Sequence, residues 1–349
     1  MTTEAALLKL ASDGDADAFG ELARAYHAEL RAHCYRMLGS VQDAEDALQE
    51  TLLRAWRGLP GFADRGSVRS WLYAIATNAA LDTAKHRSRR ELPVDFGPAA
   101  GQDAAEALAA GPPWLEPYPD QWLAHDPSLS PETRYEQRES VELAFIVALQ
   151  YLPPLQRAVL LLREVAGLST AEISSQLGTS APAVNSALQR ARAAVRSRLP
   201  AQSQQAALAA LGDQRIRQVA ERYAEAVERA DVNGLVSMLT EDAIWSMPPV
   251  PAWFRGREAI TDFLVRGPLA ERWKHRPVRA NGQLAVGCYL FSQAKHAFVP
   301  AVIDVLTLDG GKIAAVTAFQ AAELLPPHSN AAVTGAELFG QFGLPTRLP

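Results

Sequence analysis

The chain has 349 residues, a formal net charge of −5, 21% charged side chains and two cysteines, Cys34 and Cys288. That length accommodates two or three domains with sizeable cores, and two cysteines exclude a disulfide framework or a thiol-rich metal cluster. With no run of about eighteen apolar residues and no basic-then-apolar leader, a cytoplasmic protein with no membrane association is expected.

A negative net charge argues against a nucleic-acid binder only if the charge is spread evenly, and here it is not. Residues 91–135 set Arg134 against Glu91, Asp95, Asp103, Glu106, Glu116, Asp120, Asp126 and Glu132, so the basic helix ends elsewhere are undiluted. From Ala18 to Leu38, Phe19, Leu22, Tyr26, Leu30 and Leu38 keep helical spacing, and Gly39 is suited to end the helix. Ser40 with Asp43 starts the next helix, VQDAEDALQETLLRAW, in which Ala44, Ala47, Leu48, Leu52 and Ala55 face a core. Asp43, Asp46, Gln49, Glu50 and Arg54 lie toward the outside; acidic residues in the first turns also complement the helix dipole, a sufficient structural reason for them.

A Gly- and Pro-rich loop, GLPGFADRGSV, carries Phe62 and Arg65 and leads to Ser67, the expected cap of a helix whose buried stripe is Val68, Trp71, Leu72, Ile75 and Ala79. Arg69, Tyr73, Asn78 and Asp82 are left for other surfaces. The helix runs out into Lys85, Arg87, Arg89 and Arg90, a cluster suited to a phosphate backbone. Aromatics beside a basic helix can stack on unpaired bases, but at helical spacing they serve equally as core.

Residues 91–137 read as a flexible acidic linker. Within it, WLEPYPDQWLAHDPS differs: Trp114, Leu115, Tyr118, Trp122 and Leu123 are apolar anchors in a Pro-punctuated frame and should dock somewhere. The alternative is a solvated tether.

Leu152 before Pro153 and Pro154 marks a helix start, with Val159, Leu160, Leu162 and Val165 on its apolar side. Ser169 and Glu172 form a capping box for a short helix bearing Ile173 and Leu177; Gly178 ends it. Ser180 caps a second helix, with Pro182 in its first turn. There Val184, Leu188, Ala191 and Val195 make one stripe, while Asn185, Gln189, Arg192 and Arg196 fall on another face at about 100° per residue. A short helix, a tight turn and a longer basic helix is the build of a major-groove reader; the alternative is a surface helical hairpin with solvated arginines. Asn185 and Gln189 suit bidentate pairing with adenine, and Ser180, Ser186, Arg190, Arg192 and Arg196 complete the DNA-directed set, the arginines as phosphate contacts.

After residue 200, RIRQVAERYAEAVERAD is amphipathic through Ile216, Ala220, Tyr223 and Val227, and DVNGLVSMLTEDAIWSM reads as a short helix and a strand. A helix over 256–266 follows, then strands near 276–281, 284–293, 297–308 and 312–319, the last two joined at Asp309-Gly310-Gly311. This predicts an α+β cone with an apolar pocket. Asp304 is its candidate acid, with Trp245, Trp253, Tyr289 and His296 as lining; otherwise Asp304 is a surface or hydrogen-bonded residue. The tail AELFGQFGLPTRLP carries Phe339, Phe342 and Leu344 and should dock on its own domain or on the helical part.

DAEDALQETLLRAW, FADRGSVRSWLYAIATNAALD and LPPLQRAVLLLREVAGLSTAEISSQLGTSAPAVNSALQRARAAV, in that order, resemble an extracytoplasmic-function (ECF) sigma factor of the sigma-70 family. RYAEAVERADVNGLVSMLTEDAIWSMPPVPAWFRGREAI resembles a SnoaL-like domain of the nuclear-transport-factor-2-like fold, and the Trp-bearing linker resembles that of sigma factors with an extra C-terminal domain. The resemblance implies two all-α domains followed by an α+β cone: region 2 over residues 1–90, the linker over 91–137, region 4 over 138–200, the cone over 213–325 and a tail over 326–349. It implies core RNA polymerase (clamp helices and flap) and promoter DNA as partners. Asp43, Asp46, Gln49, Glu50 and Arg54 match the clamp-binding helix. Phe62 and the loop to Ser67 match the segment that receives a flipped base of the −10 element, unless Phe62 is a plug; Asn78 matches a residue contacting the same strand, with Arg65, Lys85 and Arg87 on the backbone. The second block implies a −35 reader, and Asn185 stands where the family often has Lys or Arg, which puts a standard −35 sequence in doubt. No catalytic residue, metal or cofactor is expected; a small ligand of the cone and regulation in cis are. Two other functions fit the same parts: a polymerase-independent, ligand-sensing regulator, and a cyclase or isomerase with a DNA-binding extension.

Overall fold

The computed structural model describes residues 3–62, 67–100, 113–123, 130–325 and 333–349. The chain forms two compact units. One comprises Met1–Arg89, Trp122–Thr133 and Leu143–Leu199; the other comprises Arg90–Gln121, Arg134–Glu142 and Pro200–Pro349. In chain order the helices are α1 (Glu4–Ser12), α2 (Ala16–Leu38), α3 (Val41–Gly58), α4 (Val68–Lys85), the single turn α5 (Pro93–Phe96), α6 (Pro131–Glu139), α7 (Leu143–Gln150), α8 (Pro154–Glu164), α9 (Thr170–Gln176) and α10 (Ala181–Arg196). Next come α11 (Gln204–Leu211), α12 (Asp213–Glu228), α13 (Val232–Met238), β1 (Leu239–Met247), β2 (Val250–Arg255), α14 (Arg257–Arg266), β3 (Trp273–Ala280), β4 (Gln283–Ser292), β5 (Ala297–Asp309), β6 (Lys312–Gln320) and α15 (Gly335–Gln341).

In the helical unit, local chemistry sets the breaks. Gly39 ends α2 in the left-handed conformation, φ 70°, and Ser40 immediately caps α3, accepting from the Asp43 amide. Leu22, Leu30, Tyr35 and Met37 of α2 are buried, as are Ala44 and Leu48 of α3 and Leu72 and Ala76 of α4. Arg157, on α8, is itself buried. Its guanidinium donates to the carbonyls of Leu149, Gln150, Leu152 and Met37 and to the Gln150 side chain, tying the end of α2 to the α7–α8 turn. Burial alone pushes its pKa down to about 10, so it stays charged at neutral pH. The helix α7 is absent from the sequence reading because it is apolar on every side: Leu143, Ile146, Ala148 and Leu149 are all buried, leaving no amphipathic period to detect.

The second unit is built on a six-stranded sheet of order β2-β1-β6-β5-β4-β3, in which β1 and β6 are parallel and every other neighbouring pair is antiparallel. Its inner face meets α12, α13 and α14 in one core that includes Tyr223, Leu235, Trp245, Ile260, Val286, Leu306 and Val316. The Gly310-Gly311 turn has φ of 54° and 82°, which lets β5 and β6 close as a tight hairpin. Strand β2 was not expected, since Pro249 and Pro251 break the pattern; as an edge strand it tolerates the missing amide donors.

The linker expectation needs correction. Residues 91–100 and 113–121 are built into the cone-bearing unit, with Trp114, Leu115 and Tyr118 buried. The Tyr118 amide donates to Asn281 Oδ1 (2.9 Å), the Asn281 amide to the Tyr118 carbonyl (2.8 Å), and the Gly282 amide to Asp120 (2.7 Å). A Pro-punctuated segment thus finds backbone partners at the β3–β4 turn. The stretches 101–112 and 124–129 lie outside the described residues. The tail docks on its own unit: Phe339 and Phe342 are buried, and Phe298 and Leu348 exchange backbone bonds. Gly287 makes room for it, because a Cβ there would stand 2.5 Å from Leu344 and 3.3 Å from Phe339.

Candidate nucleic-acid interface

The short helix α9 carries its capping box in full: Ser169 Oγ accepts from the Glu172 amide (3.2 Å), and Glu172 Oε2 accepts from the Ser169 amide (2.8 Å). Gly178, φ 59°, makes the turn, and Ser180 caps α10 by accepting from the Ala183 amide. Val184, Leu188, Ala191 and Val195 are buried, together with Ala187. The opposite surface therefore faces out, and Asn185, Ser186, Gln189, Arg190, Arg192 and Arg196 are all exposed. Arg192 is paired with Glu164 of α8, so it is partly neutralised; no ion pair engages Arg190 or Arg196 among the described residues.

On α3 the predicted face divides. Asp46 and Gln49 are exposed, Glu50 and Arg54 half-buried and bonded to each other at 2.6 Å, with Arg54 also 3.2 Å from Asp82. Asp43 does not join them. It is buried and paired at 3.0 Å with Arg87, one of the residues expected on DNA backbone. Two separately predicted contacts are thus each other's partner. Leu53, half exposed in the middle of this face, escaped the sequence reading; an apolar residue one position off the buried stripe was the available signal.

Phe62 is half-buried with its ring centroid 4.8 Å from that of Trp71, itself half-buried, so the two aromatics pack as a pair at the foot of α4. Ser67 caps α4 by accepting from the Ser70 amide (3.1 Å), and Asn78 is exposed. Lys85 is exposed and 3.0 Å from Asp82. Arg65 lies outside the described residues. Tyr73, left for a surface other than the predicted stripe, is buried, edge-on to His33 and bonded to Glu29 at 3.2 Å. Burial, with the charges of Arg36 and Arg69 adding to it, pushes His33 down to about 3, so its ring is neutral at physiological pH.

The five residues expected at a pocket in the cone do not converge. Trp245 and Asp304 face the inner core; Trp253 pairs with Ser246 and Tyr289 with Pro300, which puts both on the outer face. There the Trp253 indole donates to the Gly97 carbonyl (2.9 Å) and the Tyr289 hydroxyl to the Pro345 carbonyl (2.9 Å). Asp304 is buried and its Oδ2 accepts from the Tyr223 hydroxyl (2.8 Å) and the Cys288 thiol (3.1 Å). Burial raises its pKa to about 6, while both hydrogen bonds oppose the rise. A carboxyl enclosed this way is a hydrogen-bonded core group. His296 sits exposed in the β4–β5 turn.

The comparisons with known proteins follow this division. The sigma-70 region 2 family matches residues 22–90, the sigma-70 region 4 family matches 142–195, and the SnoaL-like domain family matches 220–316. The ECF RNA polymerase sigma factor SigG of Mycobacterium tuberculosis (strain CDC 1551 / Oshkosh) is 40% identical over 327 residues, covering 93% of this chain and 83% of that protein. The chain belongs to the ECF RNA polymerase sigma factors. SigW of Bacillus subtilis (strain 168) is 31% identical over 194 residues, 55% of this chain and 94% of its own length. The crystal structure of the Mycobacterium tuberculosis ECF sigma factor SigJ shares the fold, with a TM-score of 0.56, 20% identity, and coverage of 93% of this chain and 99% of that one. Among the described residues no helix is long and apolar enough to cross a membrane, and no group of three or more His, Cys, Asp or Glu is placed to hold a metal.

Proposed function

We propose that this sigma factor binds core RNA polymerase through the outer face of α3, opens the −10 element with Phe62 and α4, and reads the −35 element with α10. The observation that carries the reading is the pairing of a solvent-facing reader surface, Asn185, Gln189, Arg190 and Arg196, with a buried stripe on the same helix, in a chain 40% identical to a sigma factor over 93% of its length. Asn185 and Gln189 are the base-reading pair, suited to adenine; Arg190 and Arg196 hold phosphates and set register. On α3, Asp46, Gln49 and Glu50 offer charge complementarity to a basic partner, with Leu53 as an apolar anchor among them. The function is recognition and strand separation, without covalent chemistry. The cone acts in cis: residues 90–100 and 113–121, from the stretch that joins the region 2 and region 4 blocks in sequence, belong to the cone-bearing unit, so its grip on them sets how far the blocks can part.

Co-purification with core RNA polymerase tests the reading. The wild-type chain is expected to be retained, and charge reversal by Asp46→Lys with Glu50→Lys to abolish retention without unfolding the chain. Retention unaffected by the reversal contradicts the assignment of α3.

A further inference from the structure

In the cone-bearing unit, α12 lies along the edge strand β3, and the two part toward one end. At the close of α12, Glu228 seals the gap: one carboxylate oxygen accepts from the His275 amide (2.8 Å) and lies 3.1 Å from His275 Nδ1. Four residues along the strand and on the same face, Arg279 meets no such partner. It is half-buried, and no hydrogen bond or ion pair engages its side chain among the described residues. Between it and the first turns of α12 lies a groove of about 380 Å³, within the ~300–1,000 Å³ of small-molecule sites. Buried Ile216, Ala220 and Leu284 make its floor, with Pro277 and Val278 along the strand side. The groove is distinct from the centre of the cone, which Tyr223, Trp245 and Asp304 fill.

The rim carries two basic and two acidic side chains, and they are not equivalent. Asp213, Arg217 and Glu221 follow one another at intervals of four on α12, so Arg217 has a carboxylate on either side along one helix face. Arg279 stands across the groove, paired in register with Leu284, and neither β3 nor β4 contains an acidic residue. A half-buried cation above an apolar floor is favourable only with an anion beside it, and a guanidinium takes a carboxylate through two parallel N–H bonds. The position matters too, because Arg279 directly precedes Ala280 and Asn281, which hold Pro119 and Tyr118 of the docked linker. We propose that the groove binds a small apolar carboxylate, its anion on Arg279 and its hydrocarbon on Ile216, Ala220 and Leu284, and that the bound ligand steadies the strand end gripping the linker. Burial of the hydrocarbon supplies affinity, and Arg279 supplies the preference for an anion. A cationic head is repelled by Arg279, and a neutral one leaves it unpaired. The site stands independently of the roles proposed for α3, α4 and α10.

Titration of the full-length chain with decanoate, decanol and decyltrimethylammonium, followed by calorimetry and methyl NMR, tests the proposal. Decanoate is expected to bind one-to-one, at least about tenfold more tightly than decanol, and to shift the methyl signals of Ile216 and Leu284. It should also slow hydrogen exchange of the Tyr118 amide several-fold. Arg279→Ala should remove the preference for decanoate over decanol, and Arg279→Glu should turn it toward decyltrimethylammonium. No saturable binding of decanoate, equal affinity for decanoate and decanol in the wild type, an unchanged preference in the Arg279 variants, or methyl shifts centred elsewhere each overturns the site. Decanoate binding with unaltered Tyr118 exchange overturns the effect on the linker. None of these outcomes bears on retention by core polymerase, which tests the sigma reading by itself.

Discussion

Asp304 shows how one buried group sets a pH dependence of stability. In the unfolded chain it ionises near the ordinary carboxylate value of about 3.9; in the fold, burial raises it to about 6. The fold therefore favours the protonated form. Its stabilising contribution is complete below about pH 4, is lost as pH rises through about 6, and stays lost above that. Asp304→Asn keeps an acceptor for Tyr223 and Cys288 and removes the ionisation. Urea unfolding from pH 4 to 7 should show a decline of up to roughly 3 kcal/mol in the wild type and a flat profile in the variant. Parallel profiles would contradict the buried, hydrogen-bonded placement. On α10 the proposed division of labour is also residue by residue. Asn185→Ala should relax discrimination at one base pair by about 1–3 kcal/mol. Arg190→Ala should weaken binding evenly across sequences and lower the salt slope by about 1, as measured by polymerase–promoter titrations over a salt series.

The docked linker is an element whose stability rests on one turn. Asn281, φ 54°, bonds both the amide and the carbonyl of Tyr118, and its side-chain Nδ2 donates to the Val141 carbonyl (2.8 Å). Asn281→Ala removes the side-chain acceptor of the buried Tyr118 amide and the side-chain donor to the buried Val141 carbonyl, and puts an alanine at positive φ, so a loss of about 2–5 kcal/mol is expected in denaturant unfolding. The docking was legible in the sequence but its site was not, because an apolar, Pro-rich segment shows that it docks but not where. The helix-turn-helix was legible in detail, since caps, turn glycine and both faces of α10 are local properties. Pocket lining was not. Register shifts at Ser246/Met247 and at Cys288/Tyr289 interrupt the two-residue alternation, so parity could not say that Trp253 and Tyr289 turn away from Asp304. Asp43 misled for the related reason that its partner, Arg87, lies forty-four positions away.

At the scale of the molecule, the proposed reading gives one chain two tasks: recognition by the helical unit, and control through residues 90–100 and 113–121, which belong to the other unit. If that hold restrains the blocks, Asn281→Ala should change promoter output at a fixed amount of bound polymerase, by several-fold in either direction. Unchanged output with equal polymerase binding would remove the regulatory role while leaving promoter recognition intact. The central claim is that this chain confers promoter specificity on core polymerase, and run-off transcription with purified components tests it most directly. Core polymerase with the full-length chain is expected to give discrete transcripts from defined start sites, lost on Asp46→Lys/Glu50→Lys and redirected by Asn185→Ala. Transcripts no different from those of core polymerase alone, under conditions where a known sigma factor is active, would contradict it.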